Sequence, residues 1–100
     1  MSTAKLVIIV YGSGLEPEVA EIVAASGATG YTRWERAAGA GLSGGPHLDT
    51  PVWPDYNHVT VVAADAAAAA GLLDGVRRLR AEEGARGVKA FVIPLEEVTE

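Results

Sequence analysis

The chain has 100 residues, 49% of them apolar, with eight basic and thirteen acidic side chains for a net charge of −5. That is enough apolar material for one core and one domain, residues 1–100, and the acidic balance argues against a nucleic-acid footprint, which needs clustered Lys and Arg. The absence of cysteine excludes disulfides, thiolate chemistry and Cys-based zinc sites. The opening apolar run is too short for a signal segment or a membrane span, so the sequence predicts a soluble, cytoplasmic protein.

Leu6 to Gly12 is a β-branched run closed by Gly-Ser-Gly, which reads as a strand. Glu16 to Gly27 reads as a short amphipathic helix, with Pro17 in its first turn and Gly27 as its stop. Val19, Ile22, Val23 and Ser26 share one face, while Glu16, Glu18 and Glu21 are expected to lean outward or toward the helix N-terminus. Gly30 to Ala37 alternates Tyr31, Arg33 and Glu35 against Thr32, Trp34 and Arg36, which predicts an edge strand with polar groups on both faces.

His58 to Ala64 is a third strand. Asp65 is placed to cap a helix over Ala66 to about Glu83, with Ala69, Leu72, Leu73, Val76 and Leu79 inward and Gly84 as the stop. Gly71 and Gly75, four apart, read as tolerated helix glycines, with a close approach of this helix to its neighbour as the alternative reading. Val88 to Leu95 is the last strand.

The order β-α-β-β-α-β predicts a ferredoxin-like α+β sandwich: a four-stranded antiparallel sheet, strands one and three central, both helices on one face. Leu6, Ile8 and Val10 are as apolar as Val7, Ile9 and Tyr11, and Phe91, Ile93 and Leu95 oppose Ala90 and Val92. A sheet apolar on both parities needs a second cover. At about 1.5–3 kcal/mol per large apolar side chain, this predicts an obligate oligomer whose sheets pack together.

The connection between strands two and three, residues 38–57, far exceeds the ~2–5 residues a hairpin needs, and marks the functional segment. Gly39, Gly41, Gly44 and Gly45, with Ser43 among them, suit close backbone approach to an anion. Lys89, just after Gly87, suits a phosphate. His47, Asp49, Asp55 and His58 are the cluster with metal-ligand chemistry, His47, Asp49 and His58 foremost. Trp53, between Pro51 and Pro54, reads as a loop anchor, and Trp34 as oligomer packing.

With these residues in place, the chain resembles the PII superfamily of signalling proteins over nearly its whole length. The resemblance rests on Gly30-Tyr31-Thr32, on Gly39-Ala40-Gly41 opening an extended loop, and on Val88 to Val92. It implies a homotrimer that binds adenine nucleotides or other small metabolites or anions between subunits. The long segment would be the T-loop that engages a protein target. Thr32 resembles the strand-two threonine of the nucleotide cleft, Gly39 and Gly41 the glycines of the loop base, and Lys89 the phosphate-contacting lysine. Leu42 and Ser43 stand where nitrogen-regulatory members carry Arg-Gln, the Gly-Asp-Gly-Lys turn is reduced to Gly87-Val88-Lys89, and the arginines that follow the last strand are missing. The resemblance is therefore to a PII-like protein divergent from nitrogen-regulatory PII.

The expected function is a non-enzymatic trimeric sensor, with no nucleic-acid partner and no membrane insertion. Two alternatives stay open: a CutA-like module holding a divalent metal on His47, Asp49 and His58, and a dimeric α/β-barrel enzyme resembling small monooxygenases, with Trp34, His47 and His58 lining its pocket. Molar mass in solution separates the dimer from the trimer.

Overall fold

The computed structural model describes residues 4–41, 45–47, 56–82 and 87–99. The chain runs through β1 (Lys5–Gly12), a single 3-10 turn at Ser13–Leu15, α1 (Glu16–Ala25), β2 (Thr32–Ala37), β3 (Gly39–Gly41), β4 (Gly45–His47), β5 (Asn57–Ala64), α2 (Ala66–Glu82) and β6 (Val88–Pro94). The four long strands form one antiparallel sheet in the order β2-β5-β1-β6, so the two most apolar strands are central, as their composition requires. The connection after β2 was expected as a loop throughout. Instead, β3 and β4 pair within it as a short antiparallel ribbon, Gly39 opposite His47 and Gly41 opposite Gly45.

Register decides the two faces, because directly paired residues point to the same side. Val7, Ile9 and Tyr11 of β1 align with Val62, Thr60 and His58 of β5 and with Val92, Ala90 and Val88 of β6. This face carries the helices. Val7, Ile9, Val62, Val19, Leu72 and Val76 are buried on it and form the core.

Both helices meet it with the stripes their sequences dictate. Val19 and Val23 are buried from α1, with Ile22 partly so. Ala68, Ala69, Leu72, Gly75, Val76 and Leu79 are buried from α2, while Leu73 lies off the stripe, half-buried. Asp65 Oδ1 accepts the Ala68 N–H at 2.8 Å, the expected cap. Gly27, at φ +87, ends the α1 turn in a conformation that side-chain-bearing residues rarely adopt. Gly84 lies outside the described residues.

Gly75 is more than tolerated. A Cβ there would lie 2.6 Å from Ile22 Cγ2 and 3.0 Å from its Cγ1, so the missing side chain sets how closely α2 approaches α1. Gly71 has only ordinary contact distances to Ser26 and needs no such explanation.

Candidate functional site

The sheet face away from the helices carries the first group of candidate residues. Thr32 aligns with Val61, Ile8 and Phe91 across the four strands, and the neighbouring row is Trp34, Val59, Val10 and Lys89. Ala63, Leu6 and Ile93 make a third row. Trp34, Phe91 and Ile93 are 56%, 47% and 45% exposed, whereas Val7 and Ile9 behind them are at 0%. The second apolar parity is therefore an uncovered face of this chain. Thr32 and Lys89 sit on its opposite edge strands, about 15 Å apart at ordinary strand spacing. Lys89 Nζ lies 5.9 Å from the Phe91 ring centroid, a cation held over that apolar face.

The backbone of Gly39, Gly41, Gly45 and His47 belongs to the β3–β4 ribbon. Ser43, Gly44, Asp49, Pro51, Trp53, Pro54 and Asp55 lie outside the described residues. Among the described residues, no three His, Asp or Glu side chains gather where a metal ion could be held.

His58 has a different setting from the strand-base ligand expected of it. It lies on the helix-facing side of β5, 5% exposed, with Nδ1 2.6 Å from Glu16 Oε1. Glu16, expected to lean outward or toward the helix N-terminus, lies in the first turn of α1 and turns its carboxylate onto the sheet. The same Oε1 accepts the Tyr11 hydroxyl at 2.8 Å, and the Thr60 hydroxyl, 2.7 Å from Tyr11, completes the chain as donor. Oε2 accepts Arg33 Nη1 at 3.1 Å, and Arg33 Nη2 donates to Glu35 Oε2 at 3.1 Å. One carboxylate thus joins α1 to β1, β5 and β2. His58 Nε2 is buried with no hydrogen-bond partner among the described residues.

The electrostatics follow from that crowding. Burial alone would raise the Glu16 carboxyl, but hydrogen bonds from His58 and Tyr11 and the charge of Arg33 outweigh it and hold the group below its ordinary 4.5. Burial pushes the Tyr11 phenol up to about 12, with the Glu16 carboxylate adding to the rise. Glu16, and then Glu35, hold the exposed Arg33 guanidinium firmly charged.

The connection's two ends meet beside this cluster. The β2–β5 register shifts between Trp34 and Ala37, and within that irregularity Arg36 takes φ +63, an uncommon conformation for a residue with a side chain. The Arg36 guanidinium lies over the Tyr56 ring, 5.4 Å from its centroid, and Tyr56 in turn packs on His58 at 5.4 Å. The Ser13 N–H donates to the Tyr56 carbonyl at 2.7 Å. Composition shows none of this, but a signal existed: Tyr11, His58 and Thr60 occupy the parity of Val7, Ile9 and Val62, where buried polar groups need partners. A separate groove of about 510 Å³, with Ile22, Gly71 and Arg78 in its walls, lies between α1 and α2, on the helical layer.

A ferredoxin-like α+β chain with an uncovered apolar sheet face and a long β2–β5 connection that carries the β3–β4 ribbon is the architecture of PII-like regulatory proteins. The family model described as nitrogen regulatory protein P-II matches residues 4–100, and the chain belongs to that family. Among solved structures it is similar to CPII of Thiomonas intermedia K12, a nitrogen regulatory PII-like protein bound to ADP, AMP and bicarbonate. The TM-score is 0.75 and the identity 18%, over 92% of this chain and 85% of that one. A putative PII-like signaling protein of Thermus thermophilus matches with a TM-score of 0.63 and 26% identity, over 92% and 85% of the two chains. A DUF3240 family protein of Shewanella baltica matches with a TM-score of 0.69 and 14% identity, over 100% and 98%. No curated protein sequence matches the chain. No helix among the described residues is long and apolar enough to cross a membrane.

Proposed function

We propose that the chain is a non-enzymatic regulator that assembles as a trimer through the uncovered sheet face and binds a small anionic ligand between subunits. The ligand is an adenine nucleotide or a bicarbonate-like anion. Thr32 and the glycine-rich backbone of Gly39, Gly41, Ser43, Gly44 and Gly45 contribute from one copy, and Lys89 from the next. Ligand binding then orders or releases the 38–57 connection for a protein target.

The observation that carries this reading is the placement of Thr32 and Lys89 on opposite edges of one apolar face. A second copy packed on that face removes Trp34, Phe91 and Ile93 from water and brings the two edges of neighbouring chains together. The bound ADP, AMP and bicarbonate of CPII supply the ligand classes to try first.

The test is sedimentation equilibrium followed by calorimetric titration with ADP, AMP and bicarbonate. The expected outcome is a trimer that binds at least one of them, with Lys89→Ala weakening that binding about tenfold, as loss of one charged hydrogen bond does. A monomer, or a trimer that binds none of the three, overturns the proposal. A dimer returns the barrel enzyme to consideration.

A further inference from the structure

Beside the β2–β5 backbone pairing, which sets Ala37 opposite Asn57, the polar cluster beneath the sheet joins the two roots of the long connection through the Glu16 carboxylate. Arg33 lies on β2 shortly before the connection leaves, and His58 lies on β5 just after it returns. Glu16 holds both: Oε2 takes Arg33 Nη1 at 3.1 Å and Oε1 takes His58 Nδ1 at 2.6 Å, while Tyr11 pins the same oxygen at 2.8 Å. A second tie runs parallel, from Arg36 over Tyr56 and from Tyr56 onto His58. Both ties end on His58, whose ring is buried and cannot shift without breaking the Glu16 contact.

We propose that Glu16 is the positioning residue of the 38–56 connection: by gripping Arg33 and His58 together it fixes how the two paired roots are held against α1, and through them the ligand affinity. The inference rests on the intersubunit site proposed above. Glu16 itself does not touch the ligand. It emerges from the first turn of α1 on the helix-facing side of the sheet, whereas Thr32 and Lys89 lie on the other side. Its effect travels through β2 and β5, each of which carries one root.

The chemistry of the carboxylate separates its two arms. In Glu16→Gln the remaining oxygen can still accept from Tyr11 and His58, but the amide N–H₂ group faces Arg33 and that arm is lost. Glu16→Ala removes both arms.

The experiment combines calorimetric titration of the assembled protein with ADP, AMP and bicarbonate and hydrogen exchange at 36–38 and 56–58. Wild type is compared with Glu16→Ala, Glu16→Gln, Arg33→Met, Glu16→Gln/Arg33→Met and Asp65→Ala. Asp65→Ala removes a helix cap remote from the roots and controls for general loss of stability. Glu16→Ala is expected to weaken binding about tenfold, the scale of an indirect coupling, and to speed exchange at both roots. Glu16→Gln and Arg33→Met should have smaller, equal effects, with the double variant no worse than either. Asp65→Ala should leave affinity and root exchange unchanged despite its lower melting temperature.

Affinity within twofold of wild type and unchanged root exchange in Glu16→Ala overturn the inference, as does an equal effect of Asp65→Ala. If Glu16→Ala does not fold, Glu16→Gln and Arg33→Met decide on the same criteria. If the wild-type protein binds none of the three ligands, the proposed site has failed. Root exchange then judges Glu16 by itself: faster exchange confined to the roots supports the positioning role, and unchanged or uniformly faster exchange refutes it.

Discussion

The two faces of the sheet are made from the same four strands and invert the usual distribution of polarity. The helix-covered face buries Tyr11, His58 and Thr60 among its aliphatic residues, while the open face presents Trp34, Phe91 and Ile93 to solvent. Hydrophobicity along a strand thus says how much must be covered, not by what. Two helices cover one side, and Glu16 takes the Tyr11 hydroxyl and His58 Nδ1, while His58 Nε2 stays without a partner among the described residues. Nothing among the described residues covers the other, and such a patch marks an interaction surface.

Truncations on each side test that contrast. Ile9→Ala leaves a cavity on the covered face and is expected to cost about 2–5 kcal/mol in a denaturant titration. Ile93→Ala, on the open face, should cost under about 1 kcal/mol in dilute protein and more as concentration rises, if that face is buried by association. A concentration-independent cost would show that association does not use it. Phe91→Glu sharpens the point by placing a charge there, and is expected to shift sedimentation toward the monomer while the circular dichroism spectrum stays folded.

Gly75→Ala comes next, expected to lower stability by about 1–3 kcal/mol through overpacking, because the stiff branched side chain of Ile22 stands 2.6 Å from the new Cβ. Gly71→Ala should instead be neutral, or stabilising by up to about 1 kcal/mol. A matched pair of melting temperatures distinguishes the two positions, and equal losses would refute the close approach.

The smallest expected effects concern pH, and they report on the polar pocket of the covered face. Glu16 titrates below its unfolded value, so its contribution is present above about pH 4.5 and lost as pH falls through the lowered folded value. Glu16→Gln should flatten the acid limb of stability against pH. Tyr11 titrates above its unfolded 10.0, so its contribution is full below pH 10 and lost as pH rises toward about 12. Tyr11→Phe should flatten the alkaline limb, and unchanged slopes in either variant would break the assignment.

Much of the architecture is legible along the chain. The Val/Ile runs, the Asp65 cap, the Gly27 stop and the order of elements lead to the ferredoxin-like sheet, and the double apolar parity of β1 signals its uncovered face. The candidate site is legible in part. Thr32 and Lys89 are visible as chemistry, but their separation across the sheet appears only with strand order. His58 draws attention as a metal ligand because a lone histidine near a loop carries no record of its partner. That partner, Glu16, is 42 residues away and looks like an ordinary helix-start acid.

Local information therefore determines which segments are strands and helices, where they begin, and how much apolar surface they carry, because propensity, capping and periodicity act over a few residues. Only the tertiary structure decides which parity the helices cover, how close α2 comes to Ile22, and that one carboxylate joins both roots of the connection. Those outcomes depend on crossovers and register, which bring residues from distant parts of the chain to within about 3 Å of one another, a hydrogen-bond length, with no trace in their local sequence.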